Sequence, residues 1–287
     1  MITVRNLTKT YGKTTAVDHL SMEIAEGELF GLVGPDGAGK TTAIRLMIGI
    51  LTPNSGEVHV AGTTGYVSQR FSLYGDLTVQ ENLELFADLY HVSETALTER
   101  TDRLMQFSRL DPFRNRLARD LSGGMKQKLA LSCALIHTPK VLFLDEPTTG
   151  VDPLSRRDLW LLLFELWQSG VTIVVSTPYM DEAERCSRVG FLSAGKLIAS
   201  GRPDELRSKF GGVIFEVVTE HKFKVQEALR GLPFVRSVTV FGEGLHVVVD
   251  ADAAESAPEK LRSAAPGVPA VTRLEPSMED VFFELVK

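Results

Sequence analysis

The sequence predicts an α/β fold: a mainly parallel sheet with helices on its faces, followed by a smaller α+β module. Three observations carry that expectation. Short apolar runs, Val141-Leu142-Phe143-Leu144 and Val171 to Ser176 among them, alternate with helix-length segments. A glycine-rich loop, Gly34 to Thr42, stands between the strand-like stretch Glu28 to Val33 and a helical pattern, Ala43 to Gly49. Beyond Gly211-Gly212 the pattern changes, and two short strands flank Gly242-Glu243-Gly244 as a hairpin would. A chain of 287 residues has room for one large domain and one small one. These are expected at 1–210 and 211–287.

Taken in order, Ile2 to Leu7 alternates apolar and polar residues, as an edge strand would. Tyr11-Gly12 marks a turn, and Val17 to Ile24 a second strand. After the first helix, Thr52-Pro53-Asn54-Ser55-Gly56 reads as a loop, and Glu57 to Val60 and Gly65 to Val67 as short strands. Thr78 and Glu81 have the spacing of a capping box, which starts a helix to about Tyr90. A second helix, Glu94 to Leu110, stops at Asp111-Pro112. A third opens at Leu121-Ser122-Gly123-Gly124 and runs to about His137, so residues 78–138 form a helical subdomain. Pro153 to Gln168 is a helix closed by Gly170. The last part reads β-α-β-β-α-β, with strands at Val213 to Val218 and near Val271, helices at Lys222 to Leu229 and Ala254 to Ala264, and a final helix at Ser277 to Leu285.

Composition is that of an ordinary globular protein, 44% hydrophobic and 24% charged. The net charge of −6 argues against a broad nucleic-acid footprint. Cys133 and Cys186 lie far apart without metal spacing, which suggests a reduced, cytosolic setting. No apolar run approaches the roughly 18 residues of a membrane span. The strongest, Leu159 to Phe164, is stopped by Glu165. Any membrane role would need spans from another chain.

The loop Gly34-Pro35-Asp36-Gly37-Ala38-Gly39-Lys40-Thr41-Thr42 fits the P-loop pattern. Glycines let consecutive N–H groups turn onto phosphate oxygens, and the following helix points its positive end at the same anion. Lys40 would reach the β- and γ-phosphates, and Thr41 would offer its hydroxyl to Mg²⁺. Asp36 is an acid near phosphates, costly unless it points outward. The strand Val141 to Leu144 ends in Asp145-Glu146, which places two carboxylates at the carboxyl end of the sheet. Asp145 would hold Mg²⁺, and Glu146 would orient water and accept its proton. Ser122-Gly123-Gly124 reads either as an N-cap or as a second anion site at a helix start. One γ-phosphate needs only one such site, but two chains packed head to tail could each offer this one to the other.

These motifs together resemble the ATPase subunit of ATP-binding cassette (ABC) transporters over about Met1 to Phe210. The P-loop is Gly34 to Thr42, the signature Leu121 to Gln127 and the Walker B strand Val141 to Glu146. The resemblance implies a P-loop NTPase cassette with a RecA-like core, a small β-subdomain and a helical signature subdomain. It implies that Tyr11 stacks on adenine, the alternative being a structural turn tyrosine. It implies that Gln69 contacts Mg²⁺ and links the site to a membrane partner. Asp152, in Gly150-Val151-Asp152, would face the opposite subunit, or would simply cap the helix that Pro153 begins. Gly65 to Leu77, Tyr179 to Glu184 and Glu275 to Phe282 resemble multidrug and polysaccharide exporter ATPases of the daunorubicin-exporter-like group, which carry an extra C-terminal domain.

The implied function is ATP hydrolysis powering an exporter with a separate transmembrane permease. ATP and Mg²⁺ are the implied cofactors, a second ATPase subunit the implied partner and the cytoplasmic membrane face the implied location. Two features depart from the family. Its switch histidine falls where this chain has Pro178, which has neither side-chain donor nor N–H. Either hydrolysis is slow, or Ser176 or Thr177 contacts phosphate or water instead. The link Ala61 to Thr64 is also short, which suggests a trimmed β-subdomain. The rival readings are a non-transport ABC ATPase, and a regulatory subunit that binds ATP with negligible turnover. Arg114, Arg116 and Arg119 form a solvated basic face or a partner contact.

Overall fold

The computed structural model describes residues 1–265 and 270–286. It divides into two compact units, Met1–Pro203 and Asp204–Lys287. The glycine pair expected as the boundary lies inside the second of these, because pairing of the first unit's main sheet already stops at Gly201.

The first unit opens with β1 (Ile2–Tyr11), β2 (Thr14–Ile24) and β3 (Leu29–Val33), then α1 (Lys40–Met47), β4 (Ser55–Val60) and β5 (Thr64–Val67). The helical segment follows as α2 (Val79–Leu89), α3 (Glu94–Ser108) and α4 (Gly123–Leu135). Next come β6 (Val141–Asp145), α5 (Pro153–Gln168), β7 (Thr172–Thr177), the short α6 (Met180–Ala183), β8 (Arg188–Ser193) and β9 (Lys196–Gly201).

The main sheet runs β5-β6-β7-β3-β8-β9, parallel except for β9. Its inner strands β3, β6 and β7 are buried along their whole length, as strands covered on both faces must be. The carboxyl ends of β3, β6 and β7 therefore lie side by side. A second, antiparallel sheet has the order β2-β1-β4. Here β1 is central, not the edge strand expected. Alternation reports one covered face, which β1 has, but says nothing about neighbours along the hydrogen-bonding direction. One apolar core joins this sheet, α1 and the main sheet through Ile2, Leu20, Ile24, Ile44, Phe30 and Phe143. It fixes α1, and with it the P-loop.

Helices α2, α3 and α4 share a separate core around Val79, Leu83, Met105, Leu129 and Cys133. Thr78 and Glu81 form the expected capping box. The three arginines before α4 are engaged inside the chain. Arg114 pairs with Asp111 and Asp102, Arg119 pairs with Asp76, and Arg116 lies 4.6 Å over the Phe113 ring.

The second unit contains most of α7 (Pro203–Ser208), then β10 (Gly212–Val218), α8 (Lys222–Arg230), β11 (Val235–Phe241), β12 (Gly244–Asp250), α9 (Ala257–Ala264), β13 (Ala270–Leu274) and α10 (Met278–Leu285). Its sheet is antiparallel with the order β11-β12-β10-β13, a ferredoxin-like β-α-β-β-α-β arrangement. Alternate residues Leu245, Val247 and Val249 join Val225, Leu229 and Leu261 of α8 and α9 in one core. On the other register His246 Nδ1 lies 3.0 Å from Asp280 Oδ1 of α10. Burial would raise the Asp280 carboxyl, but hydrogen bonds from His246 and Ser277 outweigh it and hold the group below the usual carboxylate range.

Candidate functional site: a P-loop cleft at the carboxyl edge of the sheet

The P-loop connects β3 to α1, and its backbone admits no larger residues at two points. A Cβ on Gly34 would stand 2.1 Å from the Leu192 carbonyl oxygen. A Cβ on Gly39, whose φ is +103°, would stand 2.1 Å from the Ala16 carbonyl oxygen. The resulting cleft, about 160 Å³, is lined by Ala16, Gly37, Gly39, Lys40, Thr41, Thr42 and Glu146. Ala38, between the two lining glycines Gly37 and Gly39, is buried. Asp36 is exposed, which resolves its orientation: the side chain points to solvent.

Lys40 is only 3% exposed. Its Nζ donates to the carbonyls of Gly34 (2.8 Å) and Pro35 (3.0 Å) and pairs with Glu146 Oε1 at 3.1 Å. Thr41 Oγ1 donates to Asp145 Oδ1 at 2.9 Å. Tyr66 donates its hydroxyl to Asp145 Oδ2 at 3.4 Å. Burial pushes the Tyr66 phenol up, which keeps it a neutral donor. Glu146 Oε2 accepts from Gln69 Nε2 (2.9 Å) and Thr149 Oγ1 (3.3 Å). Gln69, which the resemblance has contact Mg²⁺, is bonded here to Glu146.

In the segment around Pro178 both neighbouring hydroxyls are already engaged. Ser176 Oγ donates to Asp145 Oδ1 (2.8 Å) and accepts from Glu146 N (3.0 Å). Thr177 Oγ1 donates to Glu182 Oε2 (2.6 Å) and accepts from Tyr179 N (3.1 Å). Both side chains are fully buried, and each hydroxyl spends its one hydrogen on a carboxylate. Neither is free to donate to a phosphate, which corrects the expectation that one of them replaces the histidine.

Ser122 caps α4 by accepting from Met125 N. Asp152 caps α5 by accepting from Ser155 N at 2.9 Å. Hydrogen bonds from the Ser155 side chain first, and then from its backbone, hold the Asp152 carboxyl below the usual range. The two helix starts touch. A Cβ on Gly124 would lie 2.5 Å from Ser155 Cβ and Oγ, so only glycine permits the contact. None of Ser122, Gly123, Gly124 or Asp152 lines the P-loop cleft. Tyr11 does not line it either; it is 49% exposed at the end of β1, with Lys9 Nζ 5.6 Å from its ring centroid.

Sequence reasoning missed Tyr66, Thr149 and the inward role of Ser176. Tyr66 and Thr149 sit three residues from Gln69 and Glu146, a proximity too ordinary to single them out.

A family model described as ABC transporter matches residues 17–149, and one described as ATP-binding protein DrrA1-3-like, C-terminal domain, matches residues 201–286. The Nod factor export ATP-binding protein I of Cupriavidus metallidurans is 37% identical over 301 residues, covering 99% of this chain and 97% of that protein. The chain belongs to the ABC transporter ATPase family. A protein of Escherichia coli named "Probable multidrug ABC transporter ATP-binding protein YbhF" is 44% identical over 73% of this chain. That match spans only 38% of the multidrug protein's length. Among solved structures, an ATP-binding cassette captured as a dimer in a post-hydrolysis state with ADP and Pi superposes with a TM-score of 0.65. It is 28% identical and covers 70% of this chain and 98% of its own. The fold described above is therefore that of an ABC cassette followed by a DrrA-like C-terminal domain.

Proposed function

We propose that this chain is the ATP-binding and hydrolysing subunit that powers an ABC exporter, with the transport path supplied by a separate transmembrane permease. The observation that carries the reading is the convergence on one cleft of Lys40, Thr41, Asp145 and Glu146 from a P-loop and an adjoining strand end. The names of the export proteins it resembles support the cargo direction. Among the described residues no helix is long and apolar enough to cross a membrane, which fits a peripheral subunit on the cytoplasmic face.

Backbone N–H groups of Gly37 to Thr42 would cradle the phosphates, with Lys40 turning from Glu146 toward the β- and γ-oxygens. Asp36 would contribute only its backbone. Tyr11 would pack on the adenine. The donor set fits Mg²⁺: the Thr41 hydroxyl and Asp145 carboxylate are hard oxygens 2.9 Å apart. Among the described residues no cluster of three or more His, Cys, Asp or Glu gathers, so phosphate and water oxygens would complete the shell. Bound there, Mg²⁺ would neutralise developing phosphate charge. Glu146 would orient the attacking water and take its proton, while Gln69 and Thr149 fix its carboxylate.

The signature, Ser122 to Gly124, would close the site on a second chain, with Asp152 facing the opposite subunit. Its position beside α5 and outside this chain's own cleft favours that head-to-tail arrangement. Closure on ATP and reopening after hydrolysis would then drive alternating access, a shift of population by a ligand that binds one state better. The test is affinity purification of the full chain from membranes, followed by a steady-state ATPase assay. Recovery of a permease with ATP turnover supports the reading. Recovery with ribosomes and no membrane protein overturns it in favour of a non-transport ABC ATPase.

A further inference from the structure

We infer that Ser176 is a positioning residue of the nucleotide site, holding both acids at the end of β6 against the P-loop. The inference rests on the reading of the cleft as an ATP–Mg²⁺ site.

Ser176 lies on β7, directly opposite Asp145 in the parallel ladder. It follows the wholly buried run Ile173-Val174-Val175 and is itself 0% exposed. A hydroxyl in such a place must find partners, and a backbone carbonyl would suffice. This one instead joins two neighbouring acids. It donates to Asp145 Oδ1 and accepts from Glu146 N.

Each bond has a distinct consequence. Glu146 has a φ of +49°, in the left-handed region that costs an ordinary residue energy. Such a conformation persists where the surroundings over-determine it. Here the Glu146 N–H is held twice by one residue, by Ser176 Oγ at 3.0 Å and by Ser176 O at 3.1 Å. That turn aims the carboxylate at Lys40 and Gln69. Asp145 Oδ1, in turn, takes two hydroxyls, one from Thr41 and one from Ser176. Thr41 belongs to the P-loop and Ser176 to a rigid inner strand. Asp145 therefore keeps its orientation whichever partner Thr41 takes.

The experiment uses the full chain carrying Glu146→Gln, chosen to block hydrolysis during the titration, and measures ATP affinity by calorimetry with Mg²⁺ and with a chelator. Ser176→Ala should weaken Mg²⁺–ATP binding by about tenfold, the loss of one hydrogen bond to a charged group, and leave chelator-stage ATP binding within about twofold. Ser176→Thr, which restores the hydroxyl, should recover most of the loss. If that variant does not fold, Ser176→Cys, similar in size but a weak donor, should behave as Ser176→Ala. A parent that binds no ATP overturns the nucleotide reading and this inference with it. A parent that binds, with Ser176→Ala unchanged, overturns the Ser176 role alone. So does an equal loss with and without Mg²⁺, which marks general damage to the fold.

Discussion

Lys40 and Glu146 meet as a buried ion pair, Nζ to Oε1 3.1 Å, with the two side chains 3% and 6% exposed. The residue expected to bind phosphate and the residue expected to activate water thus share one contact. Removing a partner from such a pair leaves an uncompensated charge. Lys40→Ala should therefore weaken ATP binding by at least about tenfold and also lower the melting temperature. Calorimetry on the purified full chain, with a thermal melt beside it, checks both. Undiminished binding would remove Lys40 from the phosphate site.

Gly124 and Gly123 separate packing from function. Alanine at Gly124 must push Ser155 aside at 2.5 Å, an overpacking that costs about 1–3 kcal/mol. Alanine at Gly123 meets nothing closer than 3.9 Å. Denaturant unfolding should show Gly124→Ala clearly destabilised and Gly123→Ala close to the parent. ATPase activity of the assembled transporter should fall in both: in the proposed arrangement Gly123→Ala adds its methyl at the start of α4 that meets the second chain's nucleotide, and Gly124→Ala displaces that start by pushing against Ser155. Full activity in Gly123→Ala would argue against that arrangement.

Pro178→His restores a side-chain donor after β7. With Ser176 and Thr177 both committed to carboxylates, nothing in this segment replaces it. Turnover should rise by about tenfold or more, in line with the value of one oriented donor. An unchanged or lower rate would show that another group already supplies the contact.

In the C-terminal unit the carboxyl of Asp280 is depressed in the folded state by His246 and Ser277 against the pull of burial. A depressed acid contributes stability that is present above its unfolded value of about 3.9 and lost as pH falls through the folded one. Unfolding measured between about pH 6 and pH 3 should therefore steepen below about pH 4, and Asp280→Asn should flatten that limb. Identical acid limbs would dismiss the pair as a source of stability.

Much of this was legible in the sequence where one local signal met one structural need. Pro153 to Gln168 carried its own N-cap, N1 proline and closing glycine, and the helix has those bounds. The P-loop glycines announced a tight turn, and the carbonyls of Leu192 and Ala16 explain why two of them must be glycine. The β8–β9 hairpin was missed. Its two-residue turn is Ala194-Gly195, both with positive φ, and alanine is not a residue that advertises that turn. The contact of Gly124 with Ser155 and the bond of Ser176 to Asp145 join residues about 30 positions apart. Periodicity reports which face of an element is covered, not which distant side chain covers it.

In the proposed reaction Glu146 activates water for attack on ATP bound at Lys40 and Thr41. The most direct measurement is steady-state ATP hydrolysis by the full chain assembled with its permease, before and after Glu146→Gln. Loss of turnover by at least about a hundredfold with ATP binding retained is the predicted result. Equal hydrolysis by the two proteins would contradict it.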